Sequence, residues 1–173
     1  MRRVAAIAAA TFGLDQVSKL AVVWGLDLAG RGEIDVLPPY LSFHMAWNRG
    51  VNFGLGASTG DVMRWGLIAL ALAISVWVWL WIARERQSGG GQGALARAAA
   101  GLLIGGALGN VVDRLAYGAV ADFLNMSCCG IENPYAFNLA DVAIFVGAVG
   151  LVLFAPDPPG GRTRRAAKRD KTP

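Results

Sequence analysis

Charge is scarce in this 173-residue sequence. Only 16% of its residues are Asp, Glu, Lys or Arg, against roughly 25% in ordinary soluble domains. Hydrophobic residues make up 55%, and the mean hydropathy is +0.46. A conventional soluble domain is excluded, and a small polytopic membrane protein is expected. Histidine is nearly missing too, with His44 the single one, and the two cysteines, Cys128 and Cys129, are neighbours. A bond between adjacent cysteines is strained, so no disulfide framework follows from them. Without a second Cys pair or another His there is no zinc site of the usual spacing, and no metal or cofactor is expected. The glycine run Gly89-Gly-Gly-Gln-Gly93 lacks a following Gly-Lys-Ser/Thr, which removes a phosphate loop.

What charge there is falls unevenly. Of 16 Lys and Arg, eleven lie at the N-terminus (Arg2, Arg3), in the connector (Arg84, Arg86, Arg97) and in the tail (Arg162, Arg164, Arg165, Lys168, Arg169, Lys171). Arg31, Arg49, Arg64 and Arg114 belong to the other side, and Lys19 lies inside an apolar segment. A net charge of +4 distributed this way points to the positive-inside pattern rather than to nucleic acid. It puts both termini in the cytoplasm, which needs an even number of spans.

Four apolar segments supply that number: about Val4 to Leu28, Val62 to Ile82, Ala94 to Leu115 and Phe137 to Phe154. The expected fold is an all-α membrane protein of four transmembrane helices, with a small external β-sheet element between helices 1 and 2. Residues 1–155 form one domain, and 156–173 a disordered basic cytoplasmic tail. The first segment starts like a cleavable signal peptide, but apolar character resumes after Lys19 and makes it long enough to span. Asp15 and Lys19 are four apart and share a helix face, at ~16 Å and ~22 Å along the axis. The pair either orients its helix or acts directly.

Outside the membrane, Leu41, Phe43, Met45 and Trp47 stand at alternating positions, the period of a half-buried strand. They make either a sheet resting on the outer leaflet or a hairpin covering helix ends. Asn48 to Leu55 follows, with Gly50 and Gly54 allowing tight turns and Asn48 and Asn52 supplying amides. It is a loop able to hold a peptide backbone, or simply a turn.

In the third segment Gly101, Gly105 and Gly109 recur every four residues and permit close helix approach. Gly106, Asn110, Asp113 and Arg114 continue at spacings of three and four. Arg114 beside Asp113 reads as a structural ion pair, or as a guanidinium facing a lipid headgroup or orienting a carboxylate. Asp122 follows in a Val-Ala-Asp-Phe run, and Asn138 and Asp141 open the fourth segment, Asn138 as a possible cap.

Carboxylates at the ends of lipid-embedded segments are costly and mark function by default. Segments three and four run in opposite directions, so Asp122 and Asp141 can converge at their outer ends. Two close carboxyls share a proton and titrate as a unit. That is the condition for an aspartic protease, in which one activates water and the other hydrogen-bonds the scissile carbonyl. Ser18-Lys19 invites a serine–lysine alternative, which is disfavoured because neighbours on a helix point in different directions.

Four ordered blocks between Phe12 and Gly147 carry a resemblance: DQVSK, NRGVNFG, GGALGNVVDR with its continuation GAVADF, and FNLADVAI. The sequence closely resembles the lipoprotein signal peptidases, the type II signal peptidases of bacteria. The resemblance implies an aspartyl endopeptidase of the bacterial inner membrane, with four helices, an external β-cradle and an active site towards the outer side; a monomer is expected. Such enzymes cut diacylglyceryl-modified prolipoproteins just before the lipidated cysteine, and the cyclic peptide globomycin targets them. By motif, Asp122 and Asp141 match the catalytic dyad. Asp15, Lys19, Asn48, Gly50, Asn110, Arg114, Asn138 and Ala140 match positions kept around the site. Arg49 and Asn52 fill variable places, and Cys128, Cys129 and the tail match no family role. A transporter would distribute polar residues through both membrane halves, whereas here the inner halves are apolar. A non-catalytic assembly factor would make every carboxylate structural.

Overall fold

One helix organises the molecule. In the computed structural model, which describes residues 1–50, 59–87, 93–128 and 133–154, α4 (Ala94–Tyr117) is packed on by α1 (Arg2–Lys19), α3 (Thr59–Gln87) and α5 (Leu139–Phe154). It can be central because its small residues let backbones approach. A Cβ on Gly105 would come within 2.5 Å of the Ala8 carbonyl of α1, and one on Gly106 within 2.5 Å of the Ala140 carbonyl of α5. Glycine alone fits there, as the four-residue spacing anticipates for Gly105.

Polarity runs inside out. Large apolar side chains face outward on the long helices, among them Leu14, Val62, Trp77 and Val152. Asp15, Lys19, Asn110, Asp113, Asp122 and Asn138 are buried. The opposite end of the bundle has an apolar core of Val4, Val78, Ile82, Ala100, Ile104 and Leu151. Among the described residues, three helical stretches are long and apolar enough to cross a membrane, Arg2–Gly25, Asp61–Arg84 and Ala94–Tyr117, and Leu139–Phe154 is a shorter apolar helix.

The first segment ends sooner than its sequence suggests. Beyond Lys19 it widens into a π-helical turn, Leu20–Gly25, and Asp27 then takes a left-handed conformation before the short α2 (Leu28–Arg31). Asp tolerates that region better than most residues. The chain next forms β1 (Glu33–Leu37) and β2 (Leu41–Asn48), an antiparallel pair. The sheet is larger than a hairpin between helices 1 and 2. Its third strand, β3 (Val120–Met126), comes from the stretch after α4 and pairs antiparallel with β2, giving the order β1-β2-β3. Gly118 ends α4 with a left-handed φ of 74° and turns the chain into β3. Phe123 packs edge-on against Phe43 with ring centroids 5.8 Å apart, in a core shared with Val23, Leu28 and Ala121. Phe137, expected as the first residue of the last helix, instead bridges Leu124 of the sheet.

Several expectations fall outside the described residues: Asn52 and Gly54, the glycine run through Gln92, Cys129 and the tail.

Candidate active site

The sheet and α5 deliver one carboxyl each to the end of α4. Asp122 sits in β3 opposite Ala46 of β2, and only 3% of it is exposed. Its Oδ2 accepts a hydrogen bond from Asn48 Nδ2 at 2.9 Å and its Oδ1 one from Asn138 Nδ2 at 2.6 Å. Asn48 ends β2, and its own Oδ1 accepts the Gly50 N–H at 2.9 Å, which leaves the amide nitrogen to point at Asp122. Gly50 can do this because its φ is 93°, where an added Cβ would strike Leu67 and Met63.

Asp141 lies in the first turn of α5. Its Oδ1 accepts from Asn110 Nδ2 at 2.8 Å and its Oδ2 from the Asn138 N–H at 3.3 Å. In return the Asp141 N–H donates to Asn138 Oδ1 at 2.9 Å, completing a reciprocal cap of the kind that begins many helices. Asn138 therefore caps α5 and touches both acids.

Behind the two acids lies a buried ionic group. Lys19 Nζ contacts Asp15 Oδ2 at 2.8 Å and Asp113 Oδ2 at 2.7 Å, and donates to Asn110 Oδ1 at 3.3 Å. Asp15 Oδ1 accepts the Ala140 N–H at 3.0 Å, and Asp113 Oδ2 the Ala121 N–H at 3.3 Å. The Asp15–Lys19 pairing follows from the four-residue spacing, but the expected Asp113–Arg114 pair does not form. Neighbours on a helix diverge by about 100°, so Asp113 turns inward to Lys19 while Arg114 Nη1 donates to the Asn110 carbonyl at 3.3 Å. The Arg114 guanidinium still lies within the fields of Asp141, Asp122 and Asp113.

The Asp122 carboxyl is pushed up from 3.8 to about 6. Burial is the largest cause, since it disfavours the charged form, and the charge of Asp141 adds to it. The amides of Asn48 and Asn138 and the charge of Lys19 pull the other way. A carboxyl that holds its proton well above the usual carboxylate range, beside a second carboxyl that both accepts hydrogen bonds and caps a helix, can perform acid and base steps together.

All ten residues singled out in the sequence belong to this network, Gly50 through Asn48 and Ala140 through Asp15. Two members were not singled out as site residues, Gln16 and Asp113. Gln16 Nε2 lies 3.1 Å from both Asp15 Oδ2 and Asp113 Oδ1. Asp113, three residues after Asn110 and on its face, carried the signal that could have found it. A separate cavity of about 470 Å³ opens elsewhere on the sheet, lined by Glu33, Asp35, His44, Asn125 and Ser127 among others, and includes none of these residues.

A family model described as signal peptidase (SPase) II matches residues 7–155. The lipoprotein signal peptidase of Methylorubrum extorquens (strain PA1) is 44% identical over 144 residues, spanning 83% of this chain and 80% of that protein. That of Methylobacterium radiotolerans is 41% identical over 159 residues, 92% of this chain and 88% of the relative. Two solved structures share the fold, both titled as bacterial membrane enzymes determined by the in meso method. The 1.9 Å one has a TM-score of 0.70 at 22% identity, covering 88% of this chain and 92% of its own. The 2.3 Å one has a TM-score of 0.61 at 21% identity, covering 99% and 93%.

Proposed function

The chain belongs to the signal peptidase II family, a family of membrane peptidases, and from that membership we propose that it removes signal peptides from diacylglyceryl-modified prolipoproteins by aspartic chemistry. The observation carrying the proposal is the pairing of Asp122 and Asp141 through one amide, Asn138, with every carboxylate oxygen held by a hydrogen bond. The scissile bond is the one just before the lipidated cysteine.

Asp122 serves as the acid and Asp141 as the base. Burial favours the neutral form of Asp122, and both Asp141 oxygens are aimed by hydrogen bonds from Asn110 and Asn138. Asp141 takes a proton from a water molecule whose oxygen adds to the scissile carbonyl carbon, while the Asp122 proton goes to the carbonyl oxygen. Collapse of the tetrahedral adduct breaks the C–N bond. The leaving nitrogen takes the proton from Asp141, and Asp122 recovers its own from the adduct. No covalent enzyme intermediate and no cofactor enter.

The substrate's lipid would anchor it in the outer leaflet, with acyl chains against the helices. Binding energy from those chains would align the peptide bond with the acids. In this reading α5 is a fourth span, both termini are cytoplasmic, and the site faces the outer side of the bacterial inner membrane. The basic residues flanking the opposite helix ends support that orientation. Globomycin-type cyclic peptides would occupy the same site. The enzyme is taken to act as a monomer.

Purified protein in lipid, incubated with a diacylated precursor peptide beside its unlipidated twin, tests the reading. Cleavage of the lipidated peptide before its cysteine is expected, with the twin processed at least about tenfold less efficiently. Equal efficiency on both, or cleavage at another bond, would contradict it.

A further inference from the structure

We infer that Lys19 sets the separation of the two reacting aspartates, and that Asp113 is a positioning residue of the reaction. Each acid is preceded in the chain by a residue whose backbone N–H is held by a buried carboxylate. Asp15 holds Ala140, just before Asp141, at 3.0 Å, and Asp113 holds Ala121, just before Asp122, at 3.3 Å. The two carboxylates come from different helices and meet at one ammonium, with Lys19 Nζ at 2.8 and 2.7 Å from them. The path from one acid to the other thus runs Asp141, Ala140, Asp15, Lys19, Asp113, Ala121, Asp122, made of short polar contacts and single peptide links.

Its members have little freedom to move. Asp15, Lys19 and Asp113 are 0, 5 and 1% exposed, and carboxylates buried to that degree must stay paired. Gln16 Nε2 ties the same two carboxylates a second time, at 3.1 Å from each. Lys19 also donates to Asn110 Oδ1, and a donation there leaves Asn110 Nδ2 for Asp141. A bond that merely locks α1 to α4 would not need to end on the backbone of the residues preceding both acids.

The inference rests on the dyad reading above, and the two fail differently. Turnover retained in Asp122→Asn or Asp141→Asn would sink the dyad. Those variants inactive with Asp113→Asn at wild-type turnover would sink the spacer alone.

The test is a double-substitution cycle on kcat with the lipidated peptide. Asp15→Asn and Asp113→Asn each free one acid from the spacer, so each is expected to lower kcat on the order of 10- to 100-fold with KM within about threefold, since a displacement near 1 Å can cost that much. Once the spacing is lost a second cut adds little. The double variant is expected within about threefold of the worse single one, as for residues acting as a unit. A double loss equal to the product of the singles overturns the inference, as does a loss confined to KM. Should an Asn variant fail to fold, Lys19→Arg decides. It keeps the charge but replaces a point donor with a wider planar fork. A fall in kcat of about tenfold or more, with the melting temperature within a few degrees, is expected, and wild-type kcat overturns the inference.

Discussion

Asn138 and Asp141 cap one another across the first turn of α5, the Asp141 N–H donating to Asn138 Oδ1 at 2.9 Å and the Asn138 N–H to Asp141 Oδ2 at 3.3 Å. The same Asn138 donates through Nδ2 to Asp122 at 2.6 Å. Helix initiation and the geometry of the acids are therefore one arrangement, and the two roles of the side chain can be separated.

Asn138→Ala removes both the cap and the bond to Asp122. It is expected to cost about 1 to 2 kcal/mol of stability and at least about tenfold in kcat. Asn138→Ser restores a good cap but no amide nitrogen, so thermal unfolding should recover towards wild type while kcat stays low. Recovery of both would show that capping alone matters.

The raised Asp122 carboxyl makes a signed prediction in pH. Between 3.8 and about 6 the folded protein keeps a proton that the unfolded chain has lost. The stabilisation this gives is complete below 3.8 and is lost as pH rises through about 6. Wild type should lose melting temperature over that window, and Asp122→Asn should lack that component. Activity should fall on the alkaline side as Asp122 ionises. Asn48 donates to the charged form at 2.9 Å and lowers this pKa, so Asn48→Ala should move the alkaline limb of kcat/KM upward. A flat profile from about pH 4 to 9 would contradict shared-proton chemistry.

Two glycine-to-alanine changes probe the packing that brings α5 to α4. Gly106→Ala would put a Cβ within 2.5 Å of the Ala140 carbonyl, and a backbone shift there is expected to cost about 1 to 3 kcal/mol. Gly13, on α1, has nothing within 4 Å of where its Cβ would lie. Gly13→Ala should be neutral or gain up to about 1 kcal/mol from helix propensity. Unfolding of the two variants in the same detergent checks both.

The helices were legible because lipid demands long apolar runs, and their polar interruptions stand out against that background. Asp15 and Lys19 announced their pairing through the four-residue rule, and the glycines of α4 announced close contact. Strand β3 was less legible. Val120 to Phe123 is buried on both faces, so it has no alternation to read, and its partner lies some seventy residues earlier, in β2. The role of Asp113 was hidden by a local rival. Arg114 stands beside it in sequence, and only the fold reveals that Lys19, from another helix, is the cation it meets.

The most direct measurement is single-turnover cleavage of a diacylated precursor peptide by wild type, Asp122→Asn and Asp141→Asn in lipid, with melting curves of all three. The dyad assignment predicts a loss of at least about 10²- to 10⁴-fold in each variant, with both folded and inserted as wild type is. A folded variant of either kind that still cleaves near the wild-type rate would contradict it.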